Sequence, residues 1–217
     1  MELLPFLDLL STLVFALVGA RIAADKGLDY GGIAFIAAVA SVSGGTLRNI
    51  FLGLKPVWIT DYWIVVAVLS AVLVTLVFRR VTRIGKTLIV MDTFGLAIAT
   101  ISGVHLAFAQ NTSWLTAIIL GVITAVTGGL LRDVLCQVEP VLLHRETIGT
   151  SSLMGAIVFV SLNQLEVAQN IAATIGAVVV IATRIISIYF DLHLPKFDGK
   201  KVVNNLNIET SLNKGRI

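Results

Sequence analysis

A Gly-Gly-x-x-Arg motif occurs twice in this chain, each time inside an apolar run of membrane-crossing length. Gly44-Gly45-Thr46-Leu47-Arg48 is answered 84 residues later by Gly128-Gly129-Leu130-Leu131-Arg132. The same offset pairs Asp8 with Asp92, Gly19 with Gly103, Ala23 with Ala107, Val42 with Val126 and Pro56 with Pro140, with no gap. Self-similarity at one fixed offset is the mark of a duplicated structural unit. Glycine-bearing segments in corresponding positions of two membrane halves point to a solute or ion path where the halves meet.

Hydrophobic residues make up 57% of the 217 and charged residues 13%, against about 25% in soluble domains, which is the composition of a chain built for lipid. Seven apolar runs are predicted as helices: Pro5–Ala23, Gly31–Phe51, Tyr62–Phe78, Leu88–Phe108, Trp114–Leu135, Thr147–Leu162 and Ala168–Tyr189. Most have the roughly 17–25 residues that a helix needs to cross the hydrocarbon. The expected fold is therefore an all-α membrane protein with a seven-helix domain over residues 1–190. Repeat one covers 5–79, repeat two 88–163, and the seventh helix 168–189. Residues 191–217 turn polar and are expected to be a tail of little structure. The first run begins with Glu2 and aligns with the fourth, so it is expected to be a retained helix, not a signal peptide.

Each repeat holds three spans, an odd number, so the second copy must enter the membrane in the opposite sense. The expectation is an inverted three-plus-three repeat with one extra helix. Leaving aside Arg48, Arg132 and Arg184 within spans, twelve basic residues fall on the side of the C-terminus, among them Arg79, Arg80, Arg83 and Lys86. Only Lys55 falls on the other. The positive-inside rule then puts the C-terminus in the cytoplasm and the N-terminus outside, in a cell inner membrane.

Adjacent glycines weaken a helix by roughly 1 kcal/mol each relative to alanine. Gly44, Gly45, Gly128 and Gly129 can therefore mark a kink or break whose carbonyls face a cation, or close helix packing of the kind small residues allow. Arg48 and Arg132 follow one turn later. Arginine well inside a span marks a function, a partner, or snorkelling toward the interface. Inverted threading brings Asp8 toward Arg48 at one membrane face and Asp92 toward Arg132 at the other. Each repeat can thus build its own ion pair, which Asn49 and Asp133 can extend. The hydroxyls Ser43, Thr46 and Thr127 beside the glycines either bond back to the preceding turn or face a wet pore. Arg184 in the seventh helix reads as a residue snorkelling to the cytoplasm.

The single cysteine, Cys136, excludes an internal disulfide and a cysteine-clustered metal site. No histidine pair has ligand spacing, so neither a tight metal site nor a cofactor is expected. No Lys-Ser/Thr follows Gly128-Gly129 and no strand precedes it, so it is not a nucleotide loop, and no nucleic-acid partner is expected. An intramembrane enzyme would need a nucleophile–base set or metal ligands inside the spans. The spans offer neither.

Seven helices, an inverted repeat and the doubled Gly-Gly-x-x-Arg motif resemble the bacterial branch of the TRIC (trimeric intracellular cation) channels, over roughly residues 5–190. The resemblance implies a homotrimer in membrane lipid with one pore per protomer. It also implies a path for monovalent cations, chiefly potassium and possible for sodium, beside bends at Gly44-Gly45 and Gly128-Gly129. Arg48 and Arg132 would be the charged pore or gating positions. Where the animal channels carry Lys-Glu-Val after the second glycine pair, this chain has Arg132-Asp133-Val134. Relatives of the branch also resemble glycine-uptake proteins, so a carrier for a small solute such as glycine stands as the alternative.

Overall fold

A computed structural model describes residues 3–78, 85–138 and 147–190, and among these the chain is helical throughout, with no strand. The helices are α1 (Leu3–Asp25), α2 (Tyr30–Phe51), the single-turn α3 (Val57–Thr60), α4 (Tyr62–Val77), α5 (Gly85–Ala109), α6 (Trp114–Leu135), α7 (Thr147–Gln164) and α8 (Gln169–Tyr189). The basic residues Arg79, Arg80, Arg83 and Arg145, together with Pro140 and the 191–217 tail, lie outside the described residues. The turn α3, begun by Pro56, is an element the sequence did not suggest.

Five helices, α1, α2, α5, α6 and α8, are long and apolar enough to cross a membrane. The other two predicted spans become shorter apolar helices, Tyr62–Val77 and Ile148–Gln164. Outward faces carry large apolar side chains, such as Leu69 and Leu73 on α4 and Ile171, Val178 and Ile185 on α8. Inward faces are lined by small ones, including Ala16, Ala20, Ala37, Ala40, Ala97, Ala107, Ala117 and Ala125. That division suits a bundle in lipid, where hydrophobicity cannot separate core from surface and close approach of small residues supplies the attraction.

The duplication extends to the helix ends. Asp29 caps α2 by accepting from the Gly32 amide at 2.7 Å, and Ser113, its counterpart 84 residues on, caps α6 by accepting from Thr116 at 3.2 Å. Beyond α2, Gly53 takes a positive φ of 69°, and the Leu54 amide reaches back to the Asn49 carbonyl at 2.8 Å. Gln137 repeats the conformation at φ 50°, with Val138 reaching back to Asp133 at 2.9 Å. Both are the left-handed stop that glycine fits without strain, and Gln137 adopts it despite a β-carbon.

Packing also repeats: α1 lies on α2 and α4, and α5 lies on α6 and α7. The halves join where α1 meets α5 and α2 meets α6. At the second crossing a β-carbon on Gly44 would strike the Thr124 carbonyl, and one on Gly128 would strike the Ala40 carbonyl. Residue numbers thus rise along α2 as they fall along α6. At the first crossing Asp8 meets Ser102 and Phe15 meets Gly95, the same antiparallel order. Equivalent helices of the two copies run in opposite directions, which is the inverted repeat expected from three helices per copy.

Both α2 and α6 stay α-helical through their glycine pairs. Of the kink or break expected at each pair, a break does not occur: neither helix is interrupted there. The first glycine of each pair instead lets the two helix backbones touch.

Candidate functional site

Each end of the antiparallel core holds a cluster of buried charge. In the first, Arg48 is fully buried and its guanidinium faces Asp8 with two nitrogens, Nη1 to Oδ1 at 2.9 Å and Nη2 to Oδ2 at 2.8 Å. Nη1 also donates to Ser102 Oγ at 2.9 Å, and Nε donates to Asn49 Oδ1 at 3.0 Å. Ser102 donates to Asp8 in turn, and the Asn49 amide donates to the Lys55 carbonyl at 2.8 Å. The planar fork of arginine suits such a two-point contact, which a lysine cannot reproduce. Satisfying both partners is what makes a charge tolerable at this depth.

The second cluster repeats the first with one substitution and one addition. Arg132 Nη1 donates to Asp92 Oδ1 at 2.8 Å, and Nε donates to Asp133 Oδ1 at 2.9 Å. Asp133 stands where the first copy has Asn49, so this cluster carries one more negative charge. The addition is Arg184 of α8. It is buried, and it donates from Nη2 to Asp92 Oδ2 at 3.0 Å and from Nε to Thr93 Oγ1 at 2.9 Å. The reading of Arg184 as a snorkelling residue is therefore corrected: its guanidinium turns inward and balances the extra carboxylate. Among the described residues, two arginines stand against two aspartates in this cluster, as one stands against one at the other end.

A cleft opens beside each cluster. The first, a narrow cleft of about 30 Å³, is lined by Asp8, Ser11, Thr12, Phe15, Ser41, Gly45, Thr46 and Arg48, with Trp58 and Ile64 at its side. The second, smaller at about 10 Å³, is lined by Phe15, Asp92, Leu96, Ala125, Gly129, Leu130, Arg132 and Ile148. Most of these positions correspond under the duplication, but their chemistry does not. Thr12, Ser41 and Thr46 in the first cleft become Leu96, Ala125 and Leu130 in the second.

The two glycines of each motif have separate tasks. Gly44 and Gly128 make the backbone contact between α2 and α6. Gly45 and Gly129 face the clefts, where an added β-carbon would meet only Arg48 Nη2 at 3.9 Å or Arg132 Nη2 at 3.7 Å. The hydroxyls also divide. Thr46 lines the first cleft, donates to the Val42 carbonyl at 2.6 Å and accepts from Trp58 Nε1 at 3.1 Å. Thr127 donates to the Ile123 carbonyl at 2.7 Å and is on neither cleft's lining. Ser43 lines neither cleft, and its buried Oγ has no hydrogen-bond partner among the described residues.

Contributors outside the set read from the sequence include Ser102, Thr93, Phe15, Ser11, Thr12 and Trp58, and Arg184 was read there only as snorkelling. Ser102 and Thr93 stand where the other repeat has Val18 and Leu9. A hydroxyl facing an apolar counterpart was the one available signal. Among the described residues no group of histidine, cysteine, aspartate and glutamate is arranged to hold a metal ion.

Comparison with known proteins gives the same architecture. A family model described as glycine transporter matches twice, over residues 5–80 and 89–164, so its second match begins 84 residues after the first. The UPF0126 inner membrane protein YadS of Escherichia coli (strain K12) is 35% identical over 199 residues, covering 90% of this chain and 96% of that protein. The crystal structure of the TRIC trimeric intracellular cation channel orthologue from Rhodobacter sphaeroides superimposes with a TM-score of 0.83 at 30% identity, covering 88% of this chain and all of that one. A second TRIC cation channel structure, from work on the basis of conductance, gives a TM-score of 0.79 at 30% identity over 91% of this chain.

Proposed function

The chain belongs to the TRIC-like UPF0126 family of membrane proteins, and on that premise we propose that it is a monovalent cation channel, chiefly for potassium, with one pore in each protomer. The pore runs from the Asp8–Arg48 cleft through the antiparallel core to the Asp92–Arg132 cleft. The observation that carries this reading is the pair of clefts itself. They open at opposite ends of one protomer, each ends at a neutralised arginine, and each borders the second glycine of a motif. With each arginine already paired, the permeant ion is met by the hydroxyl oxygens of Ser11, Thr12, Ser41 and Thr46. Such weak, multiple oxygen contacts let an ion enter and also leave.

The same reading takes α4 and α7 as full partners in a seven-helix membrane domain, with the N-terminus outside and the C-terminus cytoplasmic. It takes the protein to be a homotrimer in the inner membrane, as the relatives' descriptions suggest. Bending of α2 and α6 at Gly45 and Gly129 accompanies opening, and Arg48 and Arg132 lose or exchange partners as it happens. A carrier of glycine is the second reading, favoured by the family model's description and by clefts that present both charges to a zwitterion.

Single-channel recording from purified protein in planar bilayers separates the two. Discrete unitary potassium currents are expected. Their absence, together with saturable glycine uptake by proteoliposomes, would replace the channel with the carrier.

A further inference from the structure

One side chain lines both clefts. Phe15 is 4% exposed and belongs to the apolar cluster formed with Leu96, Ala99, Ala125, Ile148 and Val180. It appears in the wall of the Asp8 cleft and again in the wall of the Asp92 cleft. Its ring rests against Gly95, where an added β-carbon would come within 3.2 Å of Cε1. The counterpart of Gly95 in the other repeat is Ser11, so the space for the ring exists in one copy only.

The counterpart of Phe15 is Ala99, which lines the first cleft as well. The antiparallel meeting of α1 and α5 brings positions 15 and 99 to the same middle region of the bundle. Two alanines there would leave a gap between the clefts, and two phenylalanines would overfill it. The chain has one of each. Phe15 lies two turns from Asp8, or roughly 10 Å along α1 at 1.5 Å per residue, so the closure sits deep beneath the hydroxyl-lined cleft. Beyond it Leu96, Ala125, Leu130 and Ile148 line the second cleft as far as the charged Asp92 and Arg132. A short apolar neck excludes water, and with it ions, without a charge or a covalent barrier.

We propose that the Phe15 ring is the hydrophobic barrier that separates the two clefts, and that its displacement from its seat against Gly95 joins them. This rests on reading the clefts as two ends of one path, so the test includes a measurement that needs no ion current. In a Cys136→Ala background, Thr46→Cys reports the first cleft and Leu130→Cys the second. A membrane-impermeant cationic methanethiosulfonate is applied from whichever side labels Thr46→Cys.

With Phe15 in place, Leu130→Cys is expected to stay unlabelled from that side. Phe15→Ala should raise its labelling rate by on the order of tenfold or more, as a dewetted neck becomes wet. The swap Phe15→Ala with Ala99→Phe should lower it again, because the ring is then supplied by the other repeat. Phe15→Leu, which keeps the core apolar while removing the ring, serves if the alanine variant does not fold, and should raise labelling in the same direction. Labelling of Leu130→Cys that is unchanged in well-assembled Phe15 variants would overturn the barrier. Potassium flux is recorded alongside. If no variant conducts but labelling still depends on Phe15, the channel reading fails while the barrier between the clefts stands.

Discussion

Gly44 of α2 lies so close to the carbonyl oxygen of Thr124 in α6 that a β-carbon would overlap it, and Gly128 stands in the same relation to Ala40. At the neighbouring Gly45 and Gly129 a β-carbon would make only an ordinary contact with the Arg48 or Arg132 guanidinium. Residues adjacent on a helix point about 100° apart, so one glycine pair serves a crossing with its first member and a cleft with its second.

Alanine should therefore act differently at the two positions. Gly44→Ala and Gly128→Ala must push two backbones apart, at a cost of about 1–3 kcal/mol for overpacking. The roughly 1 kcal/mol gained in helix propensity only partly offsets this. Both should lower thermal stability in detergent, read by size-exclusion after heating. Gly45→Ala and Gly129→Ala should assemble normally and change conductance, because they stiffen the helix beside the path. Normal currents from both would leave packing as the whole role of the motif.

Arg184 should be needed because of Asp133. Arg184→Met deprives Asp92 of one of its two guanidiniums, and breaking a buried ion network in this way costs about 3–5 kcal/mol. Adding Asp133→Asn recreates the composition found at Asn49 and should recover most of the lost stability. A double-mutant cycle on melting temperature measures the coupling. Additive losses would mean that the two residues do not compensate each other.

Arg48→Lys keeps the charge but cannot contact both Asp8 oxygens, Ser102 and Asn49 from one ammonium. Leaving buried acceptors without donors should lower stability by about 1–3 kcal/mol. Thermal unfolding of the purified variant reads this. A melting temperature equal to that of the parent would show that the fork geometry is dispensable.

Orientation is open to direct labelling. With the basic residues on one side, the Arg83 segment and the C-terminal tail should be cytoplasmic. Cysteines placed at Arg83 and Lys200 should resist an impermeant maleimide in intact cells and react after permeabilisation. Reaction in intact cells would reverse the assignment.

The duplication and both Asp–Arg couples were legible in the sequence because they depend only on chain order: three helices per copy fix direction, and direction fixes which ends meet. Arg184 was not legible, since α8 has no counterpart in the repeat and its side chain's target depends on how α8 settles on α5. Ser102 reaches Asp8 across the two copies, a contact that no reading within one copy contains. The division of work between Gly44 and Gly45 rests on helix phase at a crossing, which identical residue types do not reveal. Phe15 looked like any apolar residue of a membrane helix. It stands out only once the clefts on either side of it are known.

The α2–α6 crossing has the form of an isologous interface, in which each side presents the same patch to the other. A free three-helix unit carrying that patch would recognise a second copy of itself only if the copy had been inserted upside down. Two separate products of one gene would meet that condition only by entering the membrane in both orientations. Joined in one polypeptide, with equivalent helices of the two copies running in opposite directions, they meet it every time the chain is made.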